Sequence, residues 1–413
     1  MKLAVFFLSI ISCSSLIAQD TVKALFIGNS YTHRNNMPQL VADFATAENK
    51  LLIADKNTPG GYTLDRHSKD GITLTKIRQK KWDYVVLQEQ SQLPSFPNAD
   101  VNEYVYPAAQ SLVAAIRNRS ECAVPSFYRT WGRKYGDSRN CAVWPPVCTY
   151  SGMDSLLALR YQKLADTNSG VVIPVGEVWK KLRTLYPGIE LYATDESHPS
   201  LEGSFAAACC FYTCFYRLDP TKNSFSATLS DSTATQIKRL TKWVVFNHFE
   251  KWNIGINDAK AKYEIIEQSK GKLVMASNSE NANEVNWFVN DTLVKDDTLI
   301  LDIVRSGRYK FKLRAMGDCN KDTITFWLQL EGDAVNISKA VEQDFYWAVN
   351  NGWLNIEAQI QANSITVFDL AGKTLAIFSN TSQATIETAH LPKCAIIEIR
   401  NNSNVIRKPV VLF

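Results

Sequence analysis

Between about residues 22 and 255, short apolar runs alternate with longer stretches of helical periodicity, and this restricts the chain to few folds. A short apolar run bounded by turn residues is buried on both faces, which calls for a parallel sheet covered by helices on each side. The runs are Ala24 to Ile27, Tyr84 to Gln88, Cys122 to Tyr128 and Gly170 to Val175. Helical stretches fall at Pro38 to Leu51, Val105 to Arg119, Met153 to Asn168, Val178 to Leu185, Leu201 to Tyr216 and Ser232 to Trp252. In the Met153 stretch, Leu156, Leu157, Leu159, Leu164 and Ala165 are expected largely on one side, as a helix packed on a sheet needs. The expectation is a three-layer α/β domain with a parallel sheet over residues 19–256.

After Gly255 the texture changes. Lys272-Leu-Val-Met-Ala, Asn286-Trp-Phe-Val, Thr298-Leu-Ile-Leu, Tyr309-Lys-Phe-Lys-Leu and Thr323-Ile-Thr-Phe-Trp-Leu alternate apolar and polar residues between turn signals. Such strands predict a small immunoglobulin-like β-sandwich over 260–333. It carries no visible chemistry and reads as a spacer or packing partner; carbohydrate binding would need Trp287 and Trp327 exposed. A second small β unit is expected over 341–413, with runs at Trp353, Ser364, Ala384 and Ala395 and a basic Arg407-Lys-Pro-Val-Val-Leu-Phe413 end.

With 413 residues, 46% hydrophobic and 21% charged, the chain is ordinary globular protein of two or three domains. A net charge of +4, from 45 basic and 41 acidic residues, supplies no electrostatic case for a nucleic-acid partner. Lys2, the apolar Leu3 to Ile11 and a small-residue end at Ala18-Gln19 read as an export signal over residues 1–18, cleaved after Ala18. Ile10-Ile11-Ser12-Cys13 is a weaker alternative, as a lipid-attachment box. No later segment approaches the roughly 20 apolar residues that span a bilayer. Export places the remaining cysteines in an oxidising compartment, where one pair among Cys122, Cys141 and Cys148 is expected, Cys141 with Cys148 being the most local. Cys209, Cys210 and Cys214 lack paired zinc-knuckle spacing and read as small apolar residues of a buried helix. No metal or cofactor is expected.

Two separated stretches carry candidate chemistry. Lys23-Ala-Leu-Phe-Ile-Gly-Asn-Ser30-Tyr-Thr is a buried strand that delivers a serine to a turn. Thr194-Asp195-Glu-Ser-His198-Pro-Ser200 sets a carboxylate three residues before a histidine, able to orient one ring nitrogen while the other faces a hydroxyl. A serine is a weak nucleophile, so it needs such a base and donors aimed at the oxyanion that forms. Candidate donors are the backbone N–H of Ser30, the backbone N–H of Gly61 in Thr58-Pro-Gly-Gly-Tyr-Thr63, and the amide of Gln90, with Gln88 as its alternative. Each residue also has a plainer role: Ser30 as a turn residue, Asp195 as a cap for a helix starting near Pro199, Gly61 as a turn former. His33 and His67 read as surface or loop residues, and His248 as structural.

At these positions the chain resembles the SGNH hydrolases, also called GDSL esterases and lipases. Gly28-Asn-Ser30 resembles the family's first block, Gly61 its second and Asp195-x-x-His198 its fifth, in the family's order. The third block departs: Leu87-Gln-Glu-Gln-Ser91 stands where the family has an asparagine donor, so a glutamine must substitute. The resemblance implies a flavodoxin-like fold and a secreted serine esterase with a Ser30, His198, Asp195 triad and no metal. The alternative is a non-catalytic carbohydrate-binding surface protein that keeps the fold. The favoured substrate is acetylated polysaccharide, with Tyr31, Tyr62, Trp131 and Trp144 as candidate cleft walls. In the last segment, Ile365-Thr-Val-Phe-Asp-Leu-Ala-Gly-Lys373 and Leu391-Pro-Lys resemble the C-terminal sorting domain of type IX secretion, with Cys394 in place of the usual glycine. That implies a Bacteroidetes-type source, the type IX machinery as partner, and an extracellular or outer-membrane surface location after export through the periplasm.

Overall fold

A computed structural model describes residues 20–294, 297–333, 345–350, 352–358, 362–401 and 405–411. The expected signal segment, with Cys13, lies outside the described residues. The chain divides into two compact units: Met1–Glu267 with Val274–Ile300 and Tyr309–Leu328, and Gln268–Leu273 with Leu301–Arg308 and Gln329–Phe413.

The first unit is built on five strands, β1 (Thr21–Ile27), β2 (Leu51–Asn57), β3 (Tyr84–Leu87), β4 (Val124–Tyr128) and β5 (Val171–Ile173). All neighbours are parallel and the order is β2-β1-β3-β4-β5, so the fold is the expected three-layer α/β architecture. The central strands are apolar along their length because helices cover both faces: Ala24 to Ile27, Val85 to Leu87, Phe127 and Tyr128 are fully buried. β2 has no counterpart among the expected runs. It is an edge strand in which Leu51 and Ile53 are 39% and 36% exposed, and Asp55-Lys56-Asn57 hide its signature. The register sets Ile27 beside both Asn57 and Leu87, and Leu87 beside Phe127, so the carboxyl ends of four strands finish level. From β1 the chain reaches β2 on one side and β3 on the other. Loops leaving such a reversal splay apart and open a crevice, which is where the residues after β1 emerge.

The helices are α1 (Ser30–His33), α2 (Met37–Ala47), α3 (Leu64–Lys69), α4 (Gly71–Gln79), α5 (Asn98–Asp100), α6 (Tyr106–Arg119), α7 (Tyr150–Thr167), α8 (Val175–Leu185), α9 (Leu201–Tyr216) and α10 (Asp231–Val244). α2, α8, α9 and α10 pack together as one layer, and α3, α4 and α6 as another. α9 is apolar all round and buried from Gly203 to Phe215, as a helix enclosed by neighbours must be. Burial pushes its thiols up, Cys209 to about 12, and holds all three as neutral packing residues. In α7 the buried face is Met153, Asp154, Leu157, Tyr161, Leu164 and Ala165, whereas Leu159 is 57% exposed. Helical spacing from Met153 selects that face, with Leu156 half-buried at its margin against the core, and leaves Leu159 off it.

Seven further strands, β6 (Tyr263–Ser269), β7 (Lys272–Ser277), β8 (Glu284–Val289), β9 (Thr292–Val294), β10 (Thr298–Asp302), β11 (Gly307–Met316) and β12 (Lys321–Leu330), form sheets ordered β10-β7-β6 and β12-β11-β8-β9. Trp287 is buried there, while Trp327 is 49% exposed. Cys141 pairs with Cys148, as the short spacing suggests, and Cys122 pairs with Cys319 across 197 residues. That second partner is invisible to local reasoning because only the folded chain brings the two together. Within the second unit, β13 (Phe345–Asn350), β14 (Trp353–Ala358), β15 (Ser364–Phe368), β16 (Thr374–Ser379), β17 (Gln383–Glu387), β18 (Cys394–Arg400) and β19 (Val405–Val411) make antiparallel sheets ordered β13-β14-β17 and β16-β15-β18-β19. Leu354, Ile356, Ile365, Val367, Ile397 and Ile399 form their core. Among the described residues no helix is long and apolar enough to cross a membrane.

Candidate active site

Ser30 stands at the first position of α1, immediately beyond the carboxyl end of β1. Asn29 caps that helix, its side chain accepting from the Tyr31 N–H at 3.1 Å. The buried Gln88, one residue beyond β3, holds the same turn from below. Its Oε1 accepts from the Asn29 N–H and the Thr32 hydroxyl, both at 2.9 Å, and its amide donates to the Glu89 carbonyl. Gly28 makes the approach possible, since a Cβ there would lie 2.6 Å from Gln88 Oε1 and 2.7 Å from Thr32 Oγ1. Gln88 is therefore committed to the serine turn.

The histidine arrives on a tight loop between Tyr192 and Ser200. Tyr192 bridges Pro199, the Ala193 N–H donates to the His198 carbonyl at 2.8 Å, and the Ser200 N–H donates to the Leu191 carbonyl at 2.9 Å. Ser200, not Asp195, caps the following helix by accepting from the Gly203 N–H at 3.0 Å. Asp195 is thus free to serve the loop: Oδ1 accepts from the backbone N–H of Ser197 and His198, and Oδ2 meets His198 Nδ1 at 2.5 Å. Burial raises the Asp195 carboxyl, but the His198 ring and the two N–H donors outweigh it and hold the group below the usual carboxylate range. His198 Nε2 lies 2.8 Å from Ser30 Oγ. Glu196 takes a left-handed φ of 59° within this loop, a strained value for a non-glycine residue.

Two supports were not foreseen. Asn35, at φ 52°, donates to the carbonyls of Pro199 and Ser200 and to Ser204 Oγ, tying the chain after Ser30 to the stem of the histidine loop. An Asn35-Asn36 pair is a legible signal for left-handed backbone. The second support is aromatic. Tyr31 stacks on Trp131 at 4.9 Å, and Trp131 on Trp179 at 3.6 Å; the Tyr31 hydroxyl meets Ser197 Oγ at 2.6 Å and Trp131 Nε1 donates to the Ser197 carbonyl. Tyr31 and Trp131 are buried, so they brace the histidine loop instead of lining a cleft; Tyr62 and Trp144 are half-buried.

Gly61 sits at φ 69° in the turn from Pro59 to Tyr62, facing open space. That turn is tied to the serine turn, because Asn29 Nδ2 donates to the Tyr62 carbonyl at 3.0 Å. His67, expected near the surface, is buried; Nε2 faces the Gly28 carbonyl at 2.8 Å, so that nitrogen carries the proton. Burial holds the ring below the usual histidine range despite the opposing pull of that carbonyl. Gln90 organises its own loop: Oε1 accepts from the N–H of Gln92 and Leu93, and Nε2 donates to Gln92 Oε1 at 3.1 Å and to Ser91 Oγ at 3.5 Å. Gln92 in turn donates to the buried Asp137, which also takes Arg133 and Asn140. Among the described residues no cluster of His, Cys, Asp and Glu could hold a metal ion.

No protein-family model and no curated protein matches the chain. Solved structures do. A DUF4886 family protein from Bacteroides uniformis aligns at 20% identity over 56% of this chain and 95% of its own, with a TM-score of 0.47. A candidate SGNH hydrolase from Slackia heliotrinireducens aligns at 25% identity over 47% and 98%, with a TM-score of 0.39. A mutant acetyl-xylooligosaccharide esterase from Geobacillus Stearmophilus aligns at 18% identity over 51% and 98%, with a TM-score of 0.34.

Proposed function

We propose that the protein is a secreted serine esterase that cleaves carboxylic esters, acetyl groups on carbohydrate foremost. The observation that carries this reading is the line of contacts from Ser30 Oγ to His198 Nε2 at 2.8 Å and from His198 Nδ1 to Asp195 at 2.5 Å. In the proposed reaction Ser30 Oγ attacks the ester carbonyl while its proton passes to His198 Nε2, and Asp195 holds the tautomer and the imidazolium that forms. Collapse of the tetrahedral intermediate sends the His198 proton to the departing alcohol and leaves an acyl group on Ser30. Water, deprotonated by His198, then releases the acid and restores Ser30.

The oxyanion is assigned to the N–H groups of Ser30 and Gly61 and to the Gln90 amide hydrogen that otherwise makes the long 3.5 Å contact to Ser91 Oγ. Ser30 suits this because the first N–H groups of a helix have no acceptor within it. The proposal keeps the division into a signal (1–18), a catalytic domain (19–256), a β-sandwich (260–333) and a sorting domain (341–413) read by type IX secretion, with the product at the cell surface. Acetylated xylo-oligosaccharide and p-nitrophenyl acetate, offered to wild type and Ser30→Ala, test the activity. The expected result is turnover and fluorophosphonate labelling of Ser30 in wild type, both abolished by the substitution. Equal turnover by the two proteins would reject the Ser30 assignment, and no turnover or labelling of folded wild type would leave the binding-protein alternative.

A further inference from the structure

Glu89 follows Gln88 at the end of β3, is fully buried, and forms no ion pair with any described Lys, Arg or His. A carboxyl group in such a place is costly to bury even when neutral, and an apolar residue ordinarily takes the position unless the group's hydrogen bonds serve a purpose. Its contacts suggest what it does. Oε1 and Oε2 each accept from the Leu64 N–H at 3.1 Å, and Oε1 accepts from the Gln90 N–H at 2.5 Å. Its backbone N–H donates to Tyr161 Oη at 3.2 Å, and its carbonyl takes the Gln88 amide and, at 3.5 Å, Asn29 Nδ2.

Leu64 opens α3 directly after the Gly61-Tyr62-Thr63 turn, and Gln90 is the third residue of the loop after β3. One carboxyl group therefore ties together the two segments that bear the second and third oxyanion candidates, while the same residue's carbonyl contacts the serine turn. We propose that Glu89 is a positioning residue that clamps the Gly61 turn to the Gln90 loop and so sets where their donors point. This deepens the esterase reading and rests on it for the catalytic consequence, though not for the clamp itself.

Two variants test it. Glu89→Leu keeps most of the volume but leaves the Leu64 and Gln90 N–H groups without the oxygens that accept from them. Leu64→Pro removes the N–H that Glu89 accepts, at a first helical position where proline is tolerated and after Thr63, whose φ of −101° and ψ of 163° suit a residue preceding proline. With p-nitrophenyl acetate, folded variants should lose about a hundredfold in kcat with KM within about threefold, the signature of misplaced oxyanion donors. Hydrogen exchange by mass spectrometry should quicken in peptides covering residues 61–64 and 90–92. A folded Glu89→Leu with wild-type kcat and unchanged exchange overturns the proposal. If wild type itself turns over no ester, the esterase reading fails, and the exchange result alone decides the clamp.

Discussion

Gly28→Ala tests whether the serine turn is held as described. The added Cβ would stand 2.6 Å from Gln88 Oε1, 2.7 Å from Thr32 Oγ1 and 3.1 Å from Gln88 Cβ. Contacts that short force the Gln88 carboxamide away by about half an ångström or more, since non-bonded heavy atoms settle at roughly 3.5 Å. Overpacking of this kind costs about 1–3 kcal/mol. If Gln88 swings, the buried Asn29 N–H loses its acceptor, adding about 1–3 kcal/mol. The total of roughly 2–6 kcal/mol corresponds to a melting temperature about 4–24 °C lower at about 2–4 °C per kcal/mol. Displacement of Ser30 by about 1 Å should also slow fluorophosphonate labelling about a hundredfold. Gly60→Ala is the control: its Cβ meets nothing within 4 Å and its backbone is not left-handed. Calorimetry and labelling time courses on the two variants decide the matter; Gly28→Ala that melts with Gly60→Ala and labels at the wild-type rate would refute the reasoning.

Asp195→Asn removes the acceptor that fixes His198 Nδ1 while preserving shape, and kcat on p-nitrophenyl acetate should fall about 10³- to 10⁴-fold with little change in melting. Loss of the Cys122–Cys319 bridge in Cys122→Ser/Cys319→Ser should lower unfolding free energy by about 2–5 kcal/mol in denaturant titrations, because it closes a long loop. Burial pushes the Glu89 carboxyl up to about 8 against the Leu64 and Gln90 donors; Asp65 on α3 adds a further push, and Tyr161 on α7 faces it as a neutral hydroxyl. Between pH 4.5 and about 8 the folded protein then keeps a proton that the unfolded chain has lost, so wild-type stability should decline relative to Glu89→Gln across that window, by roughly 5 kcal/mol in the limit. Parallel pH profiles of the two proteins would contradict this.

The strands that build the sheet centre were legible because burial on both faces demands unbroken apolar runs, as in Ala24 to Ile27 and Tyr84 to Leu87. β2 was not, since an edge strand carries only half of that demand and ends in Asp55-Lys56-Asn57. α3 and α4 escaped for a related reason: six and nine residues, largely polar outside Leu64, His67, Thr73 and Ile77, show too little periodicity.

At the site, the sequence alone sufficed to nominate Ser30, Asp195 and His198, because a nucleophile, a base and its orienting carboxylate need particular side chains at strand ends and loops. The pairing of Ser30 with His198 across 168 residues, and of Cys122 with Cys319, belongs to the tertiary structure, which alone sets level the ends of strands far apart in the chain. It also decided the roles that composition left open. Trp131 and Tyr31 became a brace instead of a cleft wall, His67 a buried tie to Gly28, and Glu89 a buried clamp. Residue type limits what a side chain can donate or accept, but solvent exposure and the nearest polar partner, which only packing supplies, determine what it does.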